Sequence, residues 1–167
     1  MRVHFVRSNK IGSRLIRAIT GESVSHVGLE FDSVGVVIHA TPQGVDVDSI
    51  EHFRRDHEVV ISPKYTGNIN TKVWEQMALR VEGTGYDFLY LLLLGTKLLI
   101  QKTFGLIVPP LARYMARNKY ICTEFVEYSL GVRGQEELTP GQLGTYLLRS
   151  GQWEQTQQPV YGERTYV

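Results

Sequence analysis

The chain has 167 residues, 43% of them hydrophobic and 21% charged, which is typical of a globular protein. This length predicts a single domain, 1–167, able to bury most of its apolar side chains. A formal net charge of +1 gives no general attraction toward polyanions, so we expect no nucleic-acid partner. The amino terminus lacks the continuous apolar core of a secretory signal, which predicts a cytoplasmic location. Release by lysis, or carriage in a phage particle, stays open.

The first half of the chain is patterned mainly as strands. Alternating runs bounded by turn residues predict five of them. These are residues 2–7, 25–31, 36–40, 44–48 and 57–62. Between the first two, apolar residues recur at helical spacing from Ile11 to Ile19, and Gly21 predicts the end of that helix. The basic residues before Glu22 are expected to form a solvated helix face.

The second half of the chain is patterned as helices. The predicted helices are 70–83, 86–102, 103–117 with a break at Pro109-Pro110, 121–130, and a last one that begins within Leu138-Thr-Pro. Asp87 suits an N-cap, Gly131 suits a helix end, and Pro140 suits a first turn. The tail, 152–167, predicts a terminal strand. Because strands cluster early and helices follow without regular alternation, we predict an α+β fold with an antiparallel sheet packed against helices.

The most apolar segment runs from Phe88 to Ile100. It is shorter than the ~20 residues that a membrane-spanning helix needs, and it contains Lys97, so we predict no transmembrane span. The favoured interpretation is a buried core helix. Peripheral contact with a membrane or a lipid substrate is the alternative.

The predicted hairpin brings two histidines together. The register that buries one face pairs Phe31 with Val36, Leu29 with Ile38, and Val27 with Ala40. Gly28 then lies opposite His39, and His26 lies diagonally from His39 on the same face, within reach of a hydrogen bond between the rings. The glycine leaves space beside both histidines. Two half-exposed strand histidines that bind only solvent are the alternative.

The lone cysteine, Cys122, lies at or near the start of the helix predicted at 121–130. Helix-start N–H groups and a neighbouring imidazolium lower a thiol pKa, and the same N–H groups can stabilise an oxyanion, so Cys122 is a candidate nucleophile. A buried structural thiol is one alternative. A catalytic zinc held by Cys122, His26 and His39 is another, but there is no HExxH segment, and His52 and His57 lie in a charged stretch that predicts surface. We therefore predict no metal and no cofactor.

Several segments resemble a known family. They are Ser25-His-Val-Gly-Leu, Val37-Ile-His-Ala with Gly44-Val45, Gly85-Tyr-Asp-Phe, Tyr120-Ile-Cys-Thr-Glu-Phe-Val and Leu138-Thr-Pro-Gly-Gln-Leu. Together they are similar to the circularly permuted branch of the NlpC-type, papain-like cysteine peptidases, which includes YiiX-like proteins and the lecithin:retinol acyltransferase group. The likeness extends over about residues 1–150, and its histidine-before-cysteine order reverses that of unpermuted relatives.

The resemblance implies a papain-like fold and assigns roles to individual residues. It implies Cys122 as nucleophile, His26 as general base and His39 as the third polar residue. It also places three candidate substrate-binding residues near the site, namely Tyr86, Asp87 and Tyr120. YiiX-like proteins often have a carboxylate where this chain has His39, whereas the acyltransferase group resembles this chain in using histidine.

These residues predict a cysteine hydrolase that works through a Cys-His-His triad and an acyl-enzyme. We expect a resting thiolate–imidazolium pair and cleavage of an amide or isopeptide bond, for example in a peptide or a peptidoglycan fragment. A thioesterase, phospholipase or acyltransferase that acts on acyl lipids is the second hypothesis. A binding or assembly module with an idle site is the third.

Overall fold

A computed structural model describes residues 1–109, 111, 119–132 and 137–155, and in that part of the chain it has an α+β fold. The strands are β1 (Arg2–Arg7), β2 (His26–Phe31), β3 (Val36–Thr41), β4 (Gly44–Ser49), β5 (Glu58–Ile61), β6 (Pro63–Tyr65), β7 (Gly85–Tyr86), β8 (Lys119–Tyr120) and β9 (Trp153–Gln155). The helices are α1 (Ile11–Thr20), α2 (Ile50–Asp56), α3 (Lys72–Leu79), α4 (Phe88–Phe104), α5 (Cys122–Leu130) and α6 (Pro140–Arg149). The predicted fold class is therefore confirmed.

The main sheet has the strand order β4-β3-β2-β1-β6-β9, with β5 also paired to β1. Every strand pair in it is antiparallel, as predicted. A separate parallel pair, β7 with β8, joins the start of α4 to the start of α5 and was not predicted. It brings the residues that precede the nucleophile candidate beside those that precede the long apolar helix.

The two faces of the sheet are covered by different helices. Helices α5 and α6 pack over the face that carries Phe5 and Leu29, where Phe125 is fully buried. On the other face, Phe53 of α2 packs against Val6 and Val37 in a smaller cluster. Because side chains alternate between faces along a strand, the histidine side chains of β2 and β3 lie on the α2 face.

Helix boundaries follow local signals in the sequence. Gly21 ends α1 with a φ of 76°, which a residue with a Cβ rarely adopts. The carboxylate of Asp87 accepts a hydrogen bond of 3.0 Å from the Tyr90 N–H and so caps α4. Gly131 ends α5, and Pro140 is the first residue of α6. These four predicted boundaries are confirmed.

Helix α2 is the main element that the sequence pattern did not predict. Ser49 caps it by accepting a 3.1 Å hydrogen bond from the His52 N–H. The charged stretch that predicted only surface buries one side chain, Phe53, beneath the sheet. One apolar residue among six polar or charged neighbours gives no helical periodicity, so the pattern was too weak to detect.

Two predictions in the second half are corrected. The helix predicted at 103–117 is wrong at its start, because α4 continues only to Phe104 and Gly105 ends it with a φ of 64°. Residues 106–109 are not helical, and 112–118 lie outside the described residues. The predicted terminal strand is present as β9, while 156–167 also lie outside them.

Helix α4 is not the buried core helix that its composition predicted. Only Tyr90 and Leu94 are buried among its residues, and Leu92 is 66% exposed. Its other neighbour is α1, itself without a buried residue, so the two helices cover one side of each other only. Among the described residues, no helix is both long enough and apolar enough to cross a membrane.

Candidate active site

The two histidines predicted to meet are in contact. The ladder between β2 and β3 pairs Gly28 with His39 and continues to Phe31 and Val36, in the predicted register. The ladder ends at Gly28, so the predicted pairing of Val27 with Ala40 is not formed. The Nε2 atom of His26 lies 2.9 Å from Nδ1 of His39. A Cβ on Gly28 would lie 3.2 Å from the Cβ of His39, so the glycine is needed for this approach.

A third strand extends the contact to a carboxylate. Nε2 of His39 lies 3.1 Å from Oδ2 of Asp48, and Nδ1 of His52 lies 2.9 Å from Oδ1 of the same residue. A carboxylate accepts hydrogen bonds, so the His39 proton sits on Nε2 and its Nδ1 accepts from the Nε2–H of His26. This arrangement leaves a lone pair on Nδ1 of His26. The relay from Asp48 through His39 therefore sets His26 up as a base.

Aromatic rings enclose the histidine pair on the α2 face. The ring of His57 stacks on that of His26 with centroids 5.5 Å apart, and Phe53 meets His39 edge-on at 5.0 Å. Burial, followed by the proximity of His39, His57 and Lys10, holds the pKa of His26 well below its usual value. Burial also lowers the pKa of His39, although Asp48 opposes the shift. Both imidazoles are therefore neutral near pH 7.

Cys122 is the first residue of α5, as predicted, and its side chain is buried. Burial raises the pKa of the thiol to about 11, and Glu124 adds to the rise. The backbone N–H groups of Val27, Thr123 and Cys122 itself act in the opposite direction by donating to the sulfur. The resting thiol is therefore protonated, with three amide donors already directed at it.

The structure thus places Cys122 against the β2 backbone, beside the residue that follows His26 in the chain. The main hydrogen-bond partner of the His26 ring is His39, and the ring is not among the strongest influences on the thiol pKa. The sulfur and the histidine pair meet at the same end of β2. Val27 belongs to the face packed on α5, while His26 belongs to the α2 face.

A mainly apolar cavity of about 590 Å³ lies between α1, α4 and the start of α5. Cys122 lies in its wall, with Tyr86 and Ser25 among the few polar neighbours. The apolar wall includes Leu15, Ile19, Leu94, Leu98 and Ile121. This volume falls within the ~300–1,000 Å³ typical of small-molecule sites. The cavity leads from the thiol toward the exposed side of α4.

The three candidate substrate-binding residues occupy different positions. Tyr86 lines the cavity, and burial raises its pKa, as does its proximity to Cys122, so its hydroxyl keeps its proton. Asp87 is buried and caps α4, and it is not among the cavity-lining residues. Tyr120 also lies off the cavity wall, with its ring 5.5 Å from that of Tyr128.

Sequence patterns missed two residues of the site, Asp48 and His57. Asp48 could have been found by extending the strand register from β3 to β4, because it belongs to the strand predicted at 44–48. His57 gave no signal, since its stretch predicted only surface. As for metal ligands, no group of three or more His, Cys, Asp or Glu side chains in the described ranges could hold an ion.

Comparison with known proteins gives no assignment. No family model matches the chain, and no curated protein matches it. Proposals about function therefore depend on the geometry of the site and on the residues that resemble the permuted papain-like family.

Proposed function

We propose that this chain is a cysteine-dependent hydrolase or acyltransferase of the permuted papain-like type, with a long-chain acyl substrate. The observation that supports it best is the position of the chain's single thiol. Cys122 lies in the wall of an apolar cavity and also against the strand that begins with His26, the outer member of the His26–His39–Asp48 relay.

The proposed reaction begins from a neutral pair. The raised pKa of Cys122 and the lowered pKa of His26 favour thiol and imidazole, rather than the thiolate–imidazolium pair expected from the sequence. As the sulfur attacks the acyl carbonyl, its proton passes to Nδ1 of His26 and a C–S bond forms. His39 then stabilises the resulting imidazolium, with Asp48 behind it as the charged member.

The second half of the reaction returns the proton. The amide donors of Val27 and Thr123 beside the sulfur, with the Tyr86 hydroxyl in the same wall, are available to the oxyanion. Collapse of the tetrahedral intermediate breaks the bond to the leaving group, which takes the proton from His26. Water or another acceptor then attacks the thioester, and its proton passes through His26 to the Cys122 sulfur as the acyl group departs.

The shape and chemistry of the cavity favour a long apolar acyl group in ester, thioester or amide linkage. Its wall is built mainly from leucine and isoleucine side chains of α1 and α4. An unpaired peptide group transferred there would cost roughly 2–7 kcal/mol, whereas each methylene gains about 0.8 kcal/mol. Cleavage of a peptide or peptidoglycan amide stays a prediction from the family resemblance.

A chain-length series tests the proposal. The protein is incubated with p-nitrophenyl esters from acetyl to palmitoyl and with a muropeptide, while intact mass detects the acyl-enzyme. We expect kcat/KM to rise with chain length, and both turnover and adduct to disappear in Cys122→Ser. An adduct that forms equally well in His26→Ala would overturn the assigned base, and cleavage of the muropeptide alone would overturn the acyl substrate.

Gly95 offers a matched test of the cavity itself. It lies in the cavity wall on α4, and a Cβ there would meet only Ile19, at 3.8 Å. We expect Gly95→Leu to fill the channel and shift the preferred ester to a shorter chain, while Gly95→Ala keeps the wild-type preference. An unchanged preference in Gly95→Leu would show that the acyl group binds elsewhere.

A further inference from the structure

The outer side of α1 and α4 is an exposed apolar surface. Ile11 is 84% exposed and Ile107, just beyond α4, is 96% exposed. Between them lie further exposed apolar side chains, namely Leu15, Phe88, Leu89, Leu92, Leu99, Phe104 and Leu106. We call this set the α1–α4 surface. Exposed apolar patches of this extent mark interaction sites.

The charges on the same two helices are all positive. Neither α1 nor α4 contains Asp or Glu, and together they carry Arg14, Arg17, Lys97 and Lys102. Lys97 is paired with Glu137. Arg17 and Lys102 donate to the backbone carbonyls of Ser8 and Ala18, at 3.3 Å and 3.0 Å, so these hydrogen bonds do not cancel their charge. The Lys102–Ala18 bond also ties the two helices together.

The α1–α4 surface is continuous with the cavity. Leu15, Phe88, Leu92 and Leu99 are exposed and also line the cavity, so its mouth opens among them. An acyl chain that enters there passes between apolar side chains until it reaches Cys122.

We propose that the α1–α4 surface docks on an anionic lipid bilayer, from which the acyl chain enters the cavity. The purpose of this docking depends on the proposed function, although the docking itself does not. Apolar side chains beside basic ones, without acids, are the composition of segments that bind the interface of anionic membranes. A second copy of the chain fits less well, because a symmetric pair of these surfaces would place like charges together.

Vesicle cosedimentation with the full-length Cys122→Ala protein tests docking without any contribution from turnover. We expect binding to vesicles of phosphatidylcholine with phosphatidylglycerol, weaker binding to phosphatidylcholine alone, and release as salt increases. Ile11→Glu with Ile107→Glu should weaken binding at least about tenfold, because each isoleucine loses its burial in lipid. Val73→Glu on α3, which is 52% exposed and away from this surface, is the matched control.

The outcomes separate docking from catalysis. Equal binding by the double variant and wild type, or no binding to anionic vesicles, would overturn the docking proposal. A dimer in light scattering that the double variant dissociates would assign the surface to a second copy instead. Ile11 and Ile107 do not line the cavity, so the double variant in the Cys122-containing chain should still hydrolyse a short soluble ester. If vesicles bind while every ester is inert, the proposed function alone fails.

Discussion

Nε2 of His26 lies 2.9 Å from Nδ1 of His39, and a glycine directly opposite His39 makes room for this contact. Because Asp48 accepts the other His39 proton, the three side chains form a row across β2, β3 and β4. Each strand supplies one member of the row. The row is therefore sensitive to small changes in the sheet as well as to loss of its own members.

Asp48→Ala should lower kcat by about one to two orders of magnitude, part of the ~10²–10⁴ that a positioned base supplies, and leave KM nearly unchanged. Asp48 is a positioning residue that acts through His39. Asp48→Asn keeps an acceptor for the His39 proton and should retain more activity. Steady-state kinetics on a short ester measure both, with His52→Gln as the control that removes only the exposed partner of Asp48. Wild-type kcat in Asp48→Ala would contradict the relay.

Gly28→Ala should destabilise the fold by about 1–3 kcal/mol, the usual cost of forcing an extra methyl group into a packed site. The added Cβ would lie 2.9 Å from Cγ1 of Val37, 3.2 Å from Cβ of His39 and 3.3 Å from the Phe53 ring. Urea denaturation measures the change. Gly12→Ala on α1, where a Cβ meets nothing within 4 Å, should be neutral or stabilising. Equal stability of Gly28→Ala and wild type would show that the sheet relaxes around the methyl group.

Stability should fall as pH drops below about 6.5. The folded protein holds the pKa values of His26 and His39 below their unfolded values, so the unfolded chain binds more protons and is favoured by acid. The stabilisation is fully present above the unfolded pKa and is lost by up to about 1.4 kcal/mol per pH unit for each histidine.

Urea unfolding at about pH 7.5 and about pH 5.5 measures this dependence. His26→Gln removes one titrating ring and should flatten the slope. A slope that is identical in wild type and His26→Gln would mean that His26 is not the group responsible.

Alkylation by iodoacetamide should report a protonated thiol. Since Cys122 is the only cysteine, intact mass follows a single site. The thiolate is the reactive form, so the rate should rise about tenfold per pH unit from neutral pH until it levels near a pKa of about 11. A rate that is already level at neutral pH would instead support the preformed ion pair that the sequence predicted.

The register of the histidine hairpin could be predicted because burial allows few alternatives. A shift by one residue would expose Leu29 and Ile38, so the alternation fixed the position of His39 relative to His26. The start of α5 at Cys122 was also predictable, from helical periodicity before Gly131. The role of Asp48 depended on the next strand pair, and there the alternation was read only as a strand.

The cavity could not be predicted from the sequence. Leucine occurs all around α4, so the pattern does not reveal which side packs, and a helix that is apolar all round usually predicts a core position. Whether α4 is buried depends on how many neighbours reach it, which is a tertiary property. Helix α2 escaped detection for the opposite reason, since Phe53 is its only buried side chain.

The relay residues lie in one short meander of the chain, whereas the sulfur comes from a helix far along it. Contacts between near neighbours in sequence form sooner than distant ones. The imidazole row can therefore assemble early, and the nucleophile arrives only when α5 docks. A transient detachment of that helix would switch chemistry off while leaving the proton-accepting half of the apparatus intact and ready for its return.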